Sequence, residues 1–198
     1  PVDHRGFRPE YMPDGVDVVF ATPSHHCPNN VTMPLARRHE LLDRAAAHDC
    51  MVVEDDYEFE MSFANPPIPA LKSLDRDGRV VYVGSFSKSL FPGLRLGYVV
   101  AAEPVIRELR ALRATVLRHP PGQIQRTVAS FLSLGHYDAM VARMSQSFAQ
   151  RRAAMRRAIA VCGLAIADAA TADGSSCWLR ADVAVGGPGC AARPAIAC

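Results

Sequence analysis

The chain has 198 residues, of which 49% are hydrophobic and 21% charged, and its formal net charge is +2. That length can bury a real core in one domain or one and a half, and a charge so near zero gives no argument for nucleic-acid or membrane binding. No apolar run approaches a membrane span and the N-terminus has no signal-peptide pattern, so a membrane partner is not expected.

The first element in chain order is "VDVVFATP" (16–23), a short β-rich run ended by proline and predicted to be a buried strand. "PLARRHELLDRAAAHD" (34–49) follows, with apolar residues at 35, 41, 42, 45 and 46 and charges between them. This pattern predicts a capped helix starting after Thr32 and Pro34. "CMVVEDDYEF" (50–59) opens as a buried strand and ends in acids. Strand, helix and strand with short links predict a right-handed βαβ unit with parallel strands. "ANPPIPALKSLD" (64–75) is a proline-punctuated connection, and "RVVYVGS" and "LGYVVAA" are the next two strands. Helical patterns then run at about 103–117, 123–134 and 136–161. "SSCWLRAD" (175–182) reads as one more strand, in a second, smaller α/β domain. From Val185 the periodicity stops, and the small-residue, Pro/Gly-rich tail predicts disorder. The alternation defines an α/β fold with a three-layer, mixed but mostly parallel sheet, whose ligand chemistry belongs at the carboxyl ends of the parallel strands.

The cysteines at 27, 50, 162, 177, 190 and 198 form no CxxC pair and no zinc spacing. Scattered in apolar contexts, they predict a reduced, cytoplasmic protein. His25 and His26 precede Cys27, but neighbours on an extended segment point to opposite sides, so no metal site is expected there.

Three segments fall at strand ends: "TPSHHCPNN" (22–30), "EDDYE" (54–58) and "SFSKSLFPGLR" (85–95). Strand ends of one sheet lie on one edge, so these segments can converge. Asp55 and Tyr57 are two apart on an extended segment and face one side, with Glu54 and Asp56 on the other. A carboxylate and a phenol aimed together into a crevice suit a ligand with a basic nitrogen and a phenolate-like oxygen. The alternative is a solvated acidic turn. Lys88 sits in a small-residue turn between two strands. Held inside, such a lysine loses its proton readily and can form a Schiff base with an aldehyde; the alternative is a rim lysine. Ser85, Ser87 and Arg95 around it have the chemistry of a phosphate pocket: hydroxyls, turn amides and a fixed cationic fork.

"ATPSHHCPNNVTMPLARR", "EDDYE" and "GSFSKSLFPGLRLGY", in this order and spacing, resemble the pyridoxal-phosphate-dependent fold type I aminotransferases of class I/II. The likeness is nearest to the aminotransferase-like domain of the MocR subgroup of GntR-type transcriptional regulators, and it covers roughly residues 1–182. The resemblance implies that Lys88 holds pyridoxal 5'-phosphate as an internal aldimine and, in an enzyme, moves the substrate proton. It implies that Asp55 pairs with the pyridine nitrogen, with Asp56 as the alternative, and that Tyr57 bonds the ring oxygen. Ser85, Ser87 and Arg95 would bind the phosphate. The function implied is transfer of amino groups between an amino acid and a 2-oxo acid, or sensing of a small amine or amino acid by a regulator that binds the cofactor without efficient transamination. An inactive truncated remnant is the third possibility. Such proteins are homodimers, and a regulator would touch DNA only through a domain absent from this chain.

The family's asparagine turn is replaced here by Cys27-Pro28-Asn29-Asn30. The glycine-rich phosphate turn, the ring-stacking aromatic and the carboxylate-gripping arginine have no counterpart in this stretch. A chain shortened at both ends is therefore expected, with inefficient transamination. The expected organisation is a partial cofactor-binding large domain at 1–135, a linking helix and the start of a small domain at 136–184, and the atypical tail at 185–198.

Overall fold

A computed structural model describes residues 2–62, 68–166 and 174–180. The chain opens with a two-residue antiparallel hairpin, β1 (Val2–Asp3) and β2 (Gly6–Phe7), followed by β3 (Val18–Ala21), α1 (Leu35–Ala47) and β4 (Met51–Asp56). A short helix α2 (Leu71–Leu74) leads to β5 (Val80–Ser85), a single helical turn α3 (Phe86–Ser89) and β6 (Gly97–Val100). Three helices follow, α4 (Glu103–Val116), α5 (Gly122–Ser133) and α6 (His136–Val161). The two-residue strands β7 (Ala165–Ile166) and β8 (Leu179–Arg180) then pair antiparallel.

The main sheet has the order β3-β4-β5-β6. The first three strands are parallel and β6 returns antiparallel along β5, giving the mixed, mostly parallel sheet expected. Parallel pairing places the carboxyl ends of β3, β4 and β5 on one edge, where ligands of open α/β sheets bind. Alternation along β4 is strict: Val52, Glu54 and Asp56 are buried, while Asp55 is exposed. The buried side meets α1 in a core of Val19, Ala21, Leu41, Ala45, Cys50, Val52, Leu71 and Val80. Each large aliphatic side chain sealed there contributes about 1.5–3 kcal/mol. The opposite side leaves Val18 and Phe20 exposed.

The predicted elements fall close to the observed ones, with local differences. Thr32 does not cap α1; its hydroxyl donates to the Ser24 carbonyl at 2.9 Å, and Pro34 occupies the cap position without a side-chain bond. The connection before β5 contains α2, whose first amides, Leu71 N and Lys72 N, both donate to the Glu54 carboxylate at 2.8 Å. A strand residue thereby caps a helix distant in sequence, which no local pattern announces. The strand expected at 175–182 is shorter, and its last two positions, like the tail at 185–198, lie outside the described residues. No helix of the described residues is long and apolar enough to cross a membrane.

Arg38 fixes the edge where the strands end. Its side chain is fully buried, and the guanidinium donates to the carbonyls of Met33 (3.1 Å), Pro69 (3.0 Å) and Pro23 (3.0 Å). The rigid fork of arginine suits this three-way task, since one side chain must reach acceptors in different directions. The segment after β3 is thus anchored to α1 before it reaches His25.

Candidate functional site

The three strand-end segments do converge. After β3, the backbone carbonyl of His25 accepts a bond from the Tyr57 hydroxyl at 3.0 Å. After β4, the Tyr57 ring lies 4.5 Å from the Lys88 Nζ, measured to its centroid. After β5, Lys88 reaches back from α3 and donates to the Glu58 carboxylate. Tyr57 is therefore the bridge, bound through oxygen to one segment and facing the cation of another with its ring.

Alternation in β4 separates the two adjacent aspartates. Asp55 lies on the open face, level with Val83 of β5. Although the residue is exposed overall, partial desolvation of its carboxyl raises it above the ordinary value, and the nearby Lys88 ammonium counters this in part. Asp56, level with Gly84, is buried on the α1 side and accepts from the Tyr82 hydroxyl at 3.3 Å. Burial also raises its carboxyl, against hydrogen bonds from Ser24 and Tyr82. The solvated acidic turn is not what forms, because Glu54, Asp56 and Glu58 are nearly inaccessible. Burial pushes up the Tyr57 phenol as well, so it stays a hydrogen-bond donor at any ordinary pH.

Lys88 itself is not enclosed between strands. Its side chain is 46% exposed, at the rim, with the charge held by Glu58, whose side chain is 2% exposed. The turn that carries it is tightly built. Ser85 Oγ accepts from Ser87 N at 3.1 Å, and Phe86 N donates to the Leu96 carbonyl at 3.0 Å. A Cβ on Gly97 would stand 2.8 Å from the Gly84 carbonyl oxygen, so only glycine allows β6 to return this close. Arg95 ends the following 3-10 turn, Pro92–Leu94, in a left-handed conformation (φ 50°) with its side chain exposed. Asp55, Tyr57 and Lys88 are thus brought together; Ser85, Ser87 and Arg95 belong to the same turn as Lys88.

Sequence reading missed Glu58 as a separate member of the site. The signal available was chemical: a lysine among buried strand ends needs an anion, and Glu58 is the last acid of "EDDYE". Burial draws its carboxyl upward, but bonds from Lys88 and Ser175 outweigh burial and leave it below the usual range.

The donor set suits a phosphorylated pyridine aldehyde. It offers the Lys88 amine, the Asp55 carboxylate on the open face and the Tyr57 phenol beside the amine, with two serines and an arginine in the lysine turn. The fold is that of the pyridoxal-phosphate-dependent fold type I proteins, an α/β domain with a mixed, mostly parallel sheet. Residues 12–172 match the family model of aminotransferase class I and II, and the chain belongs to that family.

Among curated relatives, the HTH-type transcriptional regulator TauR of Rhodobacter capsulatus is 59% identical over 184 residues, covering 93% of this chain and 38% of that protein. The probable rhizopine catabolism regulatory protein MocR of Rhizobium meliloti is 34% identical over 79% of this chain and 31% of its own length. The chain therefore spans less than two fifths of these relatives. Among solved structures, a Pyrococcus horikoshii kynurenine aminotransferase in complex with PMP superposes with a TM-score of 0.75 and 30% identity, covering 80% of this chain and 42% of that one. LysN, the alpha-aminoadipate aminotransferase of Thermus thermophilus complexed with N-(5'-phosphopyridoxyl)-L-leucine, gives 0.74 and 28%, covering 81% and 42%.

Proposed function

We propose that this chain forms the lysine-bearing half of a pyridoxal 5'-phosphate site in the effector-sensing part of a GntR-type regulator of the MocR subgroup. The observation that carries the proposal is the meeting of Lys88, Tyr57 and Asp55 at the carboxyl edge of the sheet. When bound, the cofactor supplies an aldehyde for an amine and a ring that withdraws electrons from the amino carbon. Lys88 is the amine in reach of it. Asp55, rather than the buried Asp56, is the carboxylate for the ring nitrogen, because it shares the open face. Tyr57 has a single O–H, which must leave the His25 carbonyl to serve the ring oxygen. Ser85, Ser87 and Arg95 are assigned to the phosphate.

The 59% identity to a regulator supports sensing over turnover. The effector class is an amino acid or small amine. A homodimer, a cytoplasmic location and DNA contact through a domain outside this chain belong to the same reading. So does the division into a partial large domain at 1–135 and a linking helix with the start of a small domain at 136–184, which is supported by α6 beginning at His136. A second reading, transamination between an amino acid and a 2-oxo acid, rests on the aminotransferases among the solved neighbours. Steady-state assays with amino acid and 2-oxo acid pairs separate the two.

The cofactor assignment is tested by titrating the chain with pyridoxal phosphate. A new absorbance band is expected, trapped by borohydride as an adduct on Lys88 and missing in Lys88→Ala. A band that persists in Lys88→Ala refutes it.

A further inference from the structure

The Glu58 carboxylate is the most constrained charge near Lys88, and it serves two partners at once. Oε1 accepts from Lys88 Nζ and from the Ser175 hydroxyl, and Oε2 accepts from Ser175 N at 3.3 Å. Ser175 lies 117 residues further along the chain. Its neighbours are gripped from two sides: Gly174 N donates to the Met61 carbonyl at 3.1 Å, and Arg152 on α6 donates to the carbonyls of Gly174 (2.9 Å) and Ser176 (2.8 Å). Residues 174–176 thus sit between the end of β4 and α6, with Glu58 as the link to the lysine turn.

We propose that Glu58 is a positioning residue for Lys88 that also makes the 174–176 segment responsive to the state of that lysine. This deepens the cofactor reading and rests on it for its biological sense. A carboxylate at 2% exposure is tolerable only with compensating charge and hydrogen bonds. Lys88 supplies the charge and Ser175 the bonds. When the lysine is drawn elsewhere, the cation is lost while Glu58 stays buried. Glu58 then either takes up a proton, which removes its strength as an acceptor for Ser175, or turns toward water, which removes it from Ser175 altogether. Both routes loosen the same segment.

The test is amide hydrogen exchange on the full chain without cofactor. In Lys88→Ala, exchange at Ser175 and its neighbours is expected to rise by about ten-fold or more over wild type, the scale set by losing one charge-assisted contact. Exchange at Val52 in the core is the control for global stability: a rise there equal to that at 174–176 would mean that the whole fold, not this segment, depends on the pair, and would overturn the proposal. Lys88→Arg, which keeps a cation, should retain most of the protection. Unchanged exchange at 174–176 in Lys88→Ala overturns the proposal, as does an equal loss in Lys88→Arg. A second arm adds pyridoxal phosphate to wild type and follows the Lys88 adduct by mass. Adduct with faster exchange at 174–176 supports the proposal, and adduct with unchanged or slower exchange overturns it. Absence of adduct refutes the cofactor reading, and the variants without cofactor still decide the role of Glu58.

Discussion

Replacing Arg38 by methionine tests the idea that one buried guanidinium holds the edge on which the site is built. Methionine keeps the apolar stem and removes three donors. The Pro23 carbonyl keeps a second partner, Met33 N at 2.8 Å, and is not orphaned. The Met33 carbonyl is buried with its residue 2% exposed, so it loses its side-chain donor where water cannot replace it, at about 1–3 kcal/mol. The Pro69 carbonyl belongs to an exposed residue and can be hydrated, which limits its loss to about 0.5–1.5 kcal/mol. Glu54 and Asp56, both buried, also lose a nearby cation, while relief of the arginine's own burial works the other way. The balance is a loss of about 2–4 kcal/mol, a large fraction of the stability of an ordinary domain. Urea unfolding followed by circular dichroism measures it. The same variant should bind pyridoxal phosphate more weakly, because the segment ending at His25 backs Tyr57. A loss under about 1 kcal/mol would show that these carbonyls do not depend on Arg38, and the anchoring argument would fail.

Further outcomes follow from the same geometry. Burial raises the carboxyls of Glu54, Asp55 and Asp56, so the folded chain holds these protons more tightly than the unfolded one. Their contribution to stability is complete below the ordinary carboxyl range and is lost as pH rises through the raised values, so the urea midpoint should climb as pH falls from neutral into mild acid. Asp56→Asn should flatten that climb, and an unaltered slope would argue against this cause. Asp3, held at about 2 by Arg37 in spite of burial, has the opposite sign, as do Glu58 and Asp75; their protonation should reverse the trend at lower pH. Gly97→Ala should cost about 1–3 kcal/mol by thermal denaturation, because its Cβ meets a backbone oxygen that no rotamer change can move.

Much of the site follows from short-range pattern. The period of two along "VVEDDY" separates Asp55 and Tyr57 from Glu54 and Asp56, since successive side chains of any strand point to opposite faces. The apolar spacing of 35, 41, 42 and 45 forms α1, and the strand–helix–strand order brings three strand ends to one edge. The family, too, was legible from three segments and their spacing. These features depend on neighbours within a turn or a strand, and sequence carries that information directly.

Other features depend on which distant groups meet, and only the tertiary structure decided them. Whether Lys88 is enclosed or at the rim depends on what packs around α3, and it stands half-exposed. Arg38 on α1 carries no mark that distinguishes it from its neighbour Arg37, which pairs with Asp3, yet Arg38 is fully buried because three loop carbonyls converge on it. Glu58 looked like the end of an acidic run and became the counter-charge of the lysine and the partner of Ser175. The physical reason is the same in each case. A buried charge is fixed by the long-range partners that compensate for lost water, and those partners are known only once the chain has folded back on itself.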